Sequence, residues 1–347
     1  VKALSVVPGL PGSLAVSEVE QPSTAEGEVL VEVEAVGVCG TDREIAAGDY
    51  GTAPPGHDRL VIGHECLGRV VDAPAGSGLA ARDLVVPMVR VPDPVPCASC
   101  AAGEWDMCRN GGYREHGIKE LPGFARERFR TSPDRLVVVD AALGVSGVLL
   151  EPASVVAKAW DHIELIGRRA TWAPRTVLVT GAGTIGLLAA LLASQRGLEV
   201  HVADIVRGGP KADLVAALGA RYHAGPVEEL QMEADVVVEC TGAVPVIAAV
   251  LDATGPNGIV CLAGVSSAGR RGRGLDLGRL NREWVLENDV VFGSVNANRR
   301  HYESAAAALA SADPQWLAAM VRRTASIEEA DAALELREDD IKTVLTL

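Results

Sequence analysis

Val61-Ile62-Gly63-His64-Glu65-Cys66-Leu67-Gly68 sets an imidazole beside a carboxylate inside an otherwise apolar strand. Charge is costly there unless something compensates it, and a bound divalent metal is a common compensator. His64 and Glu65 are therefore expected to face a catalytic zinc. Cys39, in Val38-Cys39-Gly40-Thr41-Asp42, precedes His64 by twenty-five residues, and Glu151, in Leu149-Leu150-Glu151-Pro152, supplies a second carboxylate. Thiolate, imidazole and carboxylate are all zinc donors, and a catalytic zinc keeps one position open for water or substrate. Singly, each residue has a plain structural reading; a lone histidine in a strand is usually a hydrogen-bonded core residue. Their joint occurrence carries the signal.

The chain holds seven cysteines, an odd number that argues against a secreted disulfide framework. Cys97, Cys100 and Cys108 fall within twelve residues, while Cys39, Cys66, Cys240 and Cys261 are scattered. Clustering of this kind points to metal rather than to bridges.

Gly181-Ala182-Gly183-Thr184-Ile185-Gly186 fits G-x-G-x-x-G, with Asp204 eighteen residues beyond Gly186. The pattern alone is weak in a chain with 37 glycines, but a strand precedes it and a helix opens on it. The first glycine permits the tight turn and the second lets backbone N–H groups approach a pyrophosphate. The third lets the helix pack closely on the strand, and the helix N-terminus favours the anion. Asp204 can accept from both adenosine ribose hydroxyls and would repel a 2′-phosphate, which favours NAD over NADP. Arg207 keeps the alternative open, since it could receive that phosphate.

The elements that must position these residues change character along the chain. Leu14–Val19, Glu28–Gly37, Glu65–Val71 and Leu84–Pro87 read as short strands between Pro/Gly turns, the habit of a small irregular barrel. Residues 91–123 show no periodicity and read as a structureless, cysteine-bearing insertion ordered by a ligand. From about residue 155 strands alternate with helices: Arg175–Thr180, Leu198–Asp204, Ala234–Glu239, Gly258–Ala263 and Val290–Ser294 are the strand candidates. That alternation predicts a parallel sheet covered on both faces. Helices then follow (Tyr302–Ser311, Pro314–Arg322, Ile327–Glu335), and a last strand, Ile341–Thr346, could rejoin the first domain.

At 347 residues two domains are expected. A formal net charge of -14 and an aromatic share of 3% argue against nucleic acid, and the Arg270-Arg271-Gly272-Arg273-Gly274 run reads as a solvated loop. Apolar runs such as Val145–Leu150 are too short to span a membrane, and no signal region opens the chain, so a cytoplasmic protein is expected.

Taken together, C-G-T-D, G-H-E, the cysteine-bearing lobe, L-E-P and G-A-G-T-I-G resemble the zinc-dependent medium-chain alcohol dehydrogenases, essentially end to end. Gly117-Ile118-Lys119-Glu120-Leu121-Pro122-Gly123-Phe124, Asn281-Arg282-Glu283 and Val291 to Asn298 resemble the archaeal-type glucose dehydrogenase branch. The resemblance implies an α/β fold with a β-rich, GroES-like catalytic domain (1–155 and 298–347, Cys lobe at 93–110) and a Rossmann domain (156–297) forming a doubly wound parallel sheet. It implies Cys39, His64 and Glu151 as zinc ligands, with Glu65 exchanging with them or standing beside them. Thr41 would bond the substrate hydroxyl and begin a proton path, and Glu115 and Asn296 would contact a sugar. Thr241 and Asn296 join the glycine-loop residues as candidate cofactor contacts.

The lobe departs from the family pattern C-x2-C-x2-C-x7-C: Cys97, Cys100 and Cys108 match its last three places, and Pro94 occupies the first. Water or Asp93 would complete a structural zinc there. The implied activity is hydride transfer from a sugar or polyol hydroxyl, glucose at C1 foremost, to a nicotinamide cofactor. Cyclitol, aminosugar or other polyol substrates are the alternative on the same scaffold. Family members commonly pair into dimers and tetramers.

Overall fold

The computed structural model describes residues 1–23, 27–230, 232–266 and 275–347; the arginines at 270, 271 and 273 lie outside the described residues. The chain divides into two units, Val1–Ser154 with Asn296–Leu347, and Val155–Val295.

The first unit is built on the ten-residue strand Val29–Val38. Its sequence VLVEVEAVGV alternates at first, burying Val29, Val31 and Val33 while Glu32 and Glu34 face outward. The alternation stops at an irregularity between Val33 and Ala35, and Ala35 to Val38 are buried throughout. A bulge of this kind re-aims the strand that follows. Here that strand runs straight into Cys39. Val29–Val38 pairs antiparallel with Glu65–Asp72, with Arg128–Thr131 and with the C-terminal strand Lys342–Thr346. Their shared core gathers Val31, Val36, Phe124, Phe129 and Leu345.

Two readings of this unit need correction. Residues 91–123 are not structureless: Arg90–Val91, Arg114–His116 and Glu120–Leu121 form a small sheet, with a helical turn Ala98–Ala101 beside it. Strands of two or three residues are too short to show a period. The helix expected over 314–322 stops at Met320, and Val321–Ser326 is a strand that pairs parallel with Lys342–Thr346.

In the second unit six strands lie side by side in the order Arg221–Ala224, Glu199–Asp204, Thr176–Thr180, Ala234–Glu239, Thr254–Leu262, Val290–Gly293. Every pairing is parallel. Numbered by chain order within this unit the sheet reads 3-2-1-4-5-6, the doubly wound dinucleotide-binding topology. The order reverses between Thr176–Thr180 and Ala234–Glu239, where such sheets bind their ligands. Arg221–Ala224 is an edge strand missed in the sequence; its residues RYHA carry no apolar run.

The stretch Ala141–Gly167 is long and apolar enough by composition to cross a membrane, yet 72% of its most apolar window is buried inside the protein, as in a core helix. Pro152 sits in the first turn of its α-helical part, Leu150–Gly167, where a missing N–H costs nothing.

Candidate metal centre and nucleotide loop

Cys39 caps the helix Gly40–Ala46, and its Sγ accepts from Thr41 N at 3.2 Å. Asp42 returns the bond, its Oδ2 accepting from Cys39 N at 2.9 Å. This reciprocal cap fixes the thiol's direction from local sequence alone. Across the sheet, Glu65 opens the strand Glu65–Asp72, with His64 just before it. Cys39 Sγ lies 3.2 Å from His64 Nε2. One donor atom each from Cys39, His64 and Glu65 lies within 4.8 Å of the others.

This group fits a zinc ion. Its donors are sulfur, nitrogen and oxygen, and His64 and Glu65 are almost wholly withdrawn from water, at 6% and 2% exposure. His64 Nδ1 is buried without a hydrogen bond and faces Asp42 Oδ1 at 3.5 Å. A carboxylate behind an imidazole is how proteins commonly orient a ligating histidine, leaving Nε2 for the metal. Burial raises the Cys39 thiol above its ordinary range, a cost that metal coordination would offset.

Glu151 stands outside the 4.8 Å group but within its electrostatic reach. Burial and the nearby Glu65 carboxylate, against the pull of His64, lift its pKa to about 7. Glu65 is differently placed. Its Oε2 accepts from the buried Lys342, whose Nζ also donates to Val38 O at 3.3 Å. Room for the Glu65 carboxylate comes from Gly37 opposite it in the ladder, where a Cβ would stand 2.1 Å from Oε2.

Asp42 and Lys342 were missed in the sequence. The first had a signal, a carboxylate at the third helical position after Cys39. The second had only a charge at the head of an apolar strand, and its target lies 277 residues away.

Cys97, Cys100 and Cys108 also converge within 4.8 Å, with 3.7 Å between Cys97 Sγ and Cys100 Sγ. The backbone N–H of Arg109 and that of Cys100 pull Cys97 down to about 6, while burial and the neighbouring thiols push Cys100 up to about 11. Asp93 is not in that group. Its Oδ1 accepts from Val95 N at 2.9 Å, and its carboxylate packs against Gly112.

Glu115 and Asn296, 181 residues apart, are joined by a bond from Asn296 Nδ2 to Glu115 Oε1 at 3.0 Å. Asn296 Oδ1 is already taken by Ala297 N at 2.8 Å. Thr41 is half-buried beside Cys39.

The glycine loop follows Thr176–Thr180, and Gly183 caps the helix Thr184–Ser194, whose first residues are Thr184 and Ile185. Gly181 has φ +85°, a left-handed conformation that favours glycine. A Cβ on Gly186 would stand 1.7 Å from Gly181 O, whereas one on Gly183 would meet nothing within 4 Å. One glycine thus serves close packing and another leaves open space for an approaching anion. Thr241 is locked by Glu239, a fully buried carboxylate that accepts from its N at 2.7 Å and from its hydroxyl.

Asp204 ends the strand Glu199–Asp204, but its two oxygens accept from Ala182 N at 2.7 Å and Val206 N at 2.9 Å. Lys211 Nζ lies 3.7 Å away. Arg207 is exposed. Asp204 is therefore a loop-bracing acid with a nearby cation, not an unopposed negative charge.

Sheet order, glycine loop and metal-donor group together define a zinc-type medium-chain dehydrogenase. Residues 25–141 match the model of the alcohol dehydrogenase GroES-like domain, and residues 144–347 that of the glucose dehydrogenase C-terminus. The chain belongs to the glucose 1-dehydrogenase family of NAD(P)-dependent oxidoreductases acting on CH–OH groups.

It is 39% identical to a glucose 1-dehydrogenase of Methanocella arvoryzae over 359 aligned positions, covering 100% of this chain and 99% of the relative. A Vulcanisaeta moutnovskia glucose 1-dehydrogenase is 40% identical with the same coverage. The Haloferax mediterranei glucose dehydrogenase, solved in complex with NADP, Zn and gluconolactone, superposes with a TM-score of 0.91 at 32% identity, over 100% of this chain and 99% of that one. That complex overturns the expectation that NAD is favoured over NADP. In this chain the Asp204 carboxylate accepts from the glycine loop and lies 3.7 Å from Lys211 Nζ, so its charge is partly balanced and is a weaker bar to a 2′-phosphate than a bare acid would be.

Proposed function

We propose that the chain oxidises an aldose, glucose foremost, at its C1 hydroxyl to the lactone. The observation that carries the reading is the convergence of Cys39, His64 and Glu65 donors within 4.8 Å in a chain of this family. Cys39, His64 and Glu151 would hold the catalytic zinc, with Glu65 as an alternating ligand or a neighbour of the ligands. When bound, zinc supplies Lewis-acid stabilisation of the substrate oxygen and nicotinamide accepts the hydride.

The protein's own residues do the rest. Asp42 fixes the His64 ring so that Nε2 points at the donor group. Lys342 balances the Glu65 charge in a place where it would otherwise be unpaired. The Thr41 hydroxyl takes the substrate proton outward. Glu115 accepts from a sugar hydroxyl, held by Arg90 and Asn296. The loop from Gly181 to Gly186, with Thr184, Ile185 and Thr241 beside it, receives the pyrophosphate. Cys97, Cys100 and Cys108 would hold a second, structural zinc.

Val290–Gly293 is one of the two edge strands of its sheet, and Leu277, Val285, Leu286 and Val295 nearby in the chain are exposed. Two copies pairing along this edge would give a dimer, and dimers a tetramer. With all seven cysteines free, a reducing, cytoplasmic setting suits the chain.

The test is a panel of aldoses, polyols, cyclitols and aminosugars, read at the nicotinamide absorbance with both cofactors and with and without chelator. Glucose should be among the best substrates, and chelator should stop turnover. Turnover that survives complete zinc removal would sink the scheme.

A further inference from the structure

Glu115 is held by a stack of side chains that neither hydride transfer nor the core requires. Arg90 is buried and lies directly opposite Glu115 in the pairing of Arg90–Val91 with Arg114–His116. Its Nε and Nη2 both reach Glu115 Oε1 at 3.0 Å, and Nη1 donates to Asp106 O at 3.1 Å. Asn296 Nδ2 donates to the same Oε1. Two hydrogen bonds and a second guanidinium nitrogen at ion-pair distance thus converge on one carboxylate oxygen. Among the described residues no group donates to Oε2.

An arginine facing a carboxylate usually takes both oxygens side by side. Here the fork is turned away from that arrangement. The guanidinium carbon sits 3.7 Å from the centroid of the Tyr113 ring, which restricts its plane, and the Asp106 carbonyl occupies Nη1. Lys119 Nζ lies 4.4 Å from the same centroid and is itself tied to Gly111 O at 2.6 Å. Guanidinium over an aromatic face is attractive as well as restrictive.

We infer that Tyr113 and Arg90 are positioning residues that saturate Glu115 Oε1 and so present Oε2 as the acceptor for one sugar hydroxyl. The inference rests on the reading that Glu115 contacts the substrate. A charged oxygen that only accepts welcomes an O–H donor and leaves a deoxy, O-methyl or phosphorylated carbon unrewarded. Sites built around such a bond reject the analogue that lacks it. Tyr113 thereby sets specificity without touching the sugar.

Steady-state kinetics on the zinc-loaded full chain, with glucose and its monodeoxy analogues, test this. Glu115→Gln, Arg90→Lys and Tyr113→Leu should each raise KM for glucose about tenfold, the equivalent of 1.4 kcal/mol. Each should leave kcat within about a factor of two and flatten discrimination against the same single deoxy analogue. Tyr113→Phe keeps the ring and should behave as wild type. Zinc content and NADP affinity should not move, which separates positioning from a general loss of structure.

An unchanged KM in Glu115→Gln removes the underlying reading that this carboxylate meets the sugar. A raised KM there, with wild-type KM and discrimination in Tyr113→Leu and Arg90→Lys, overturns the positioning role alone. If Tyr113→Leu does not fold, Arg90→Lys decides, since it keeps the charge and loses the fork.

Discussion

Cys39, His64 and Glu65 meet against a strand that is buried over its last four residues, whereas Cys97, Cys100 and Cys108 meet on a lobe of two- to four-residue elements. Both groups bring three donors within 4.8 Å, but their surroundings differ. Behind the first stand Asp42 and Lys342, each about 2% exposed and each aimed at one donor. The thiols of the second are held by one another and by backbone N–H groups. Donor convergence is therefore not enough to tell a reactive site from a structural one. Buried charge spent on orienting the donors is the more informative sign, because a purely structural clip has no need of it.

The largest expected effect breaks the first group at its centre. Cys39→Ser or His64→Ala should reduce kcat by about a thousandfold or more, in line with the loss of several kcal/mol of Lewis-acid stabilisation. NADP affinity, measured by titration, should stay near wild type. Turnover close to wild type would count against the assignment.

Lys342→Met tests the supporting charge. It strands the Glu65 carboxylate in the core and should cost about 3–5 kcal/mol in denaturant unfolding. Adding Glu65→Gln should recover much of that loss, whereas additive losses would mean that the two side chains are not coupled.

A pH series probes the small sheet that carries Arg114–His116. His116 packs on Phe124 at 4.6 Å, and burial lowers its pKa to about 4. The unfolded chain takes up that proton near pH 6.5 and the native state only near 4, so the contribution is complete above 6.5. It should fall away between 6.5 and 4, by up to about 3 kcal/mol. His116→Gln should flatten that slope in stability measured against pH; an identical slope would show that other groups carry it.

The smallest effect belongs to the lobe. Cys100→Ser should remove one zinc and cost about 1–2 kcal/mol, a few degrees in Tm, with kcat nearly unchanged. A large fall in kcat would erase the distinction between the two groups.

What could be read from the chain alone follows the range of the forces involved. The parallel sheet was legible because each strand is a local apolar run and the glycine loop is a six-residue pattern fixed by local geometry. Cys39, His64 and Glu151 were legible as donor types, yet nothing local said that Glu65 answers to Lys342, a pairing made by the register of Val29–Val38 against two other strands. The small sheet bearing Glu115 was invisible, since its strands are two and three residues long. Asp204 misled for a related reason. A strand-end acid after a glycine loop implies an unopposed negative charge, and only the fold reveals that Ala182 and Val206 each donate to one of its oxygens and that Lys211 stands beside it.

Metal at the first group is the central claim, and the most direct measurement of it is zinc per chain in wild type and Cys39→Ser, with turnover and NADP affinity measured on the same samples. Two ions are expected in wild type and one in the variant, with turnover lost and cofactor affinity kept. An equal zinc content in the two proteins, with turnover preserved, would contradict it.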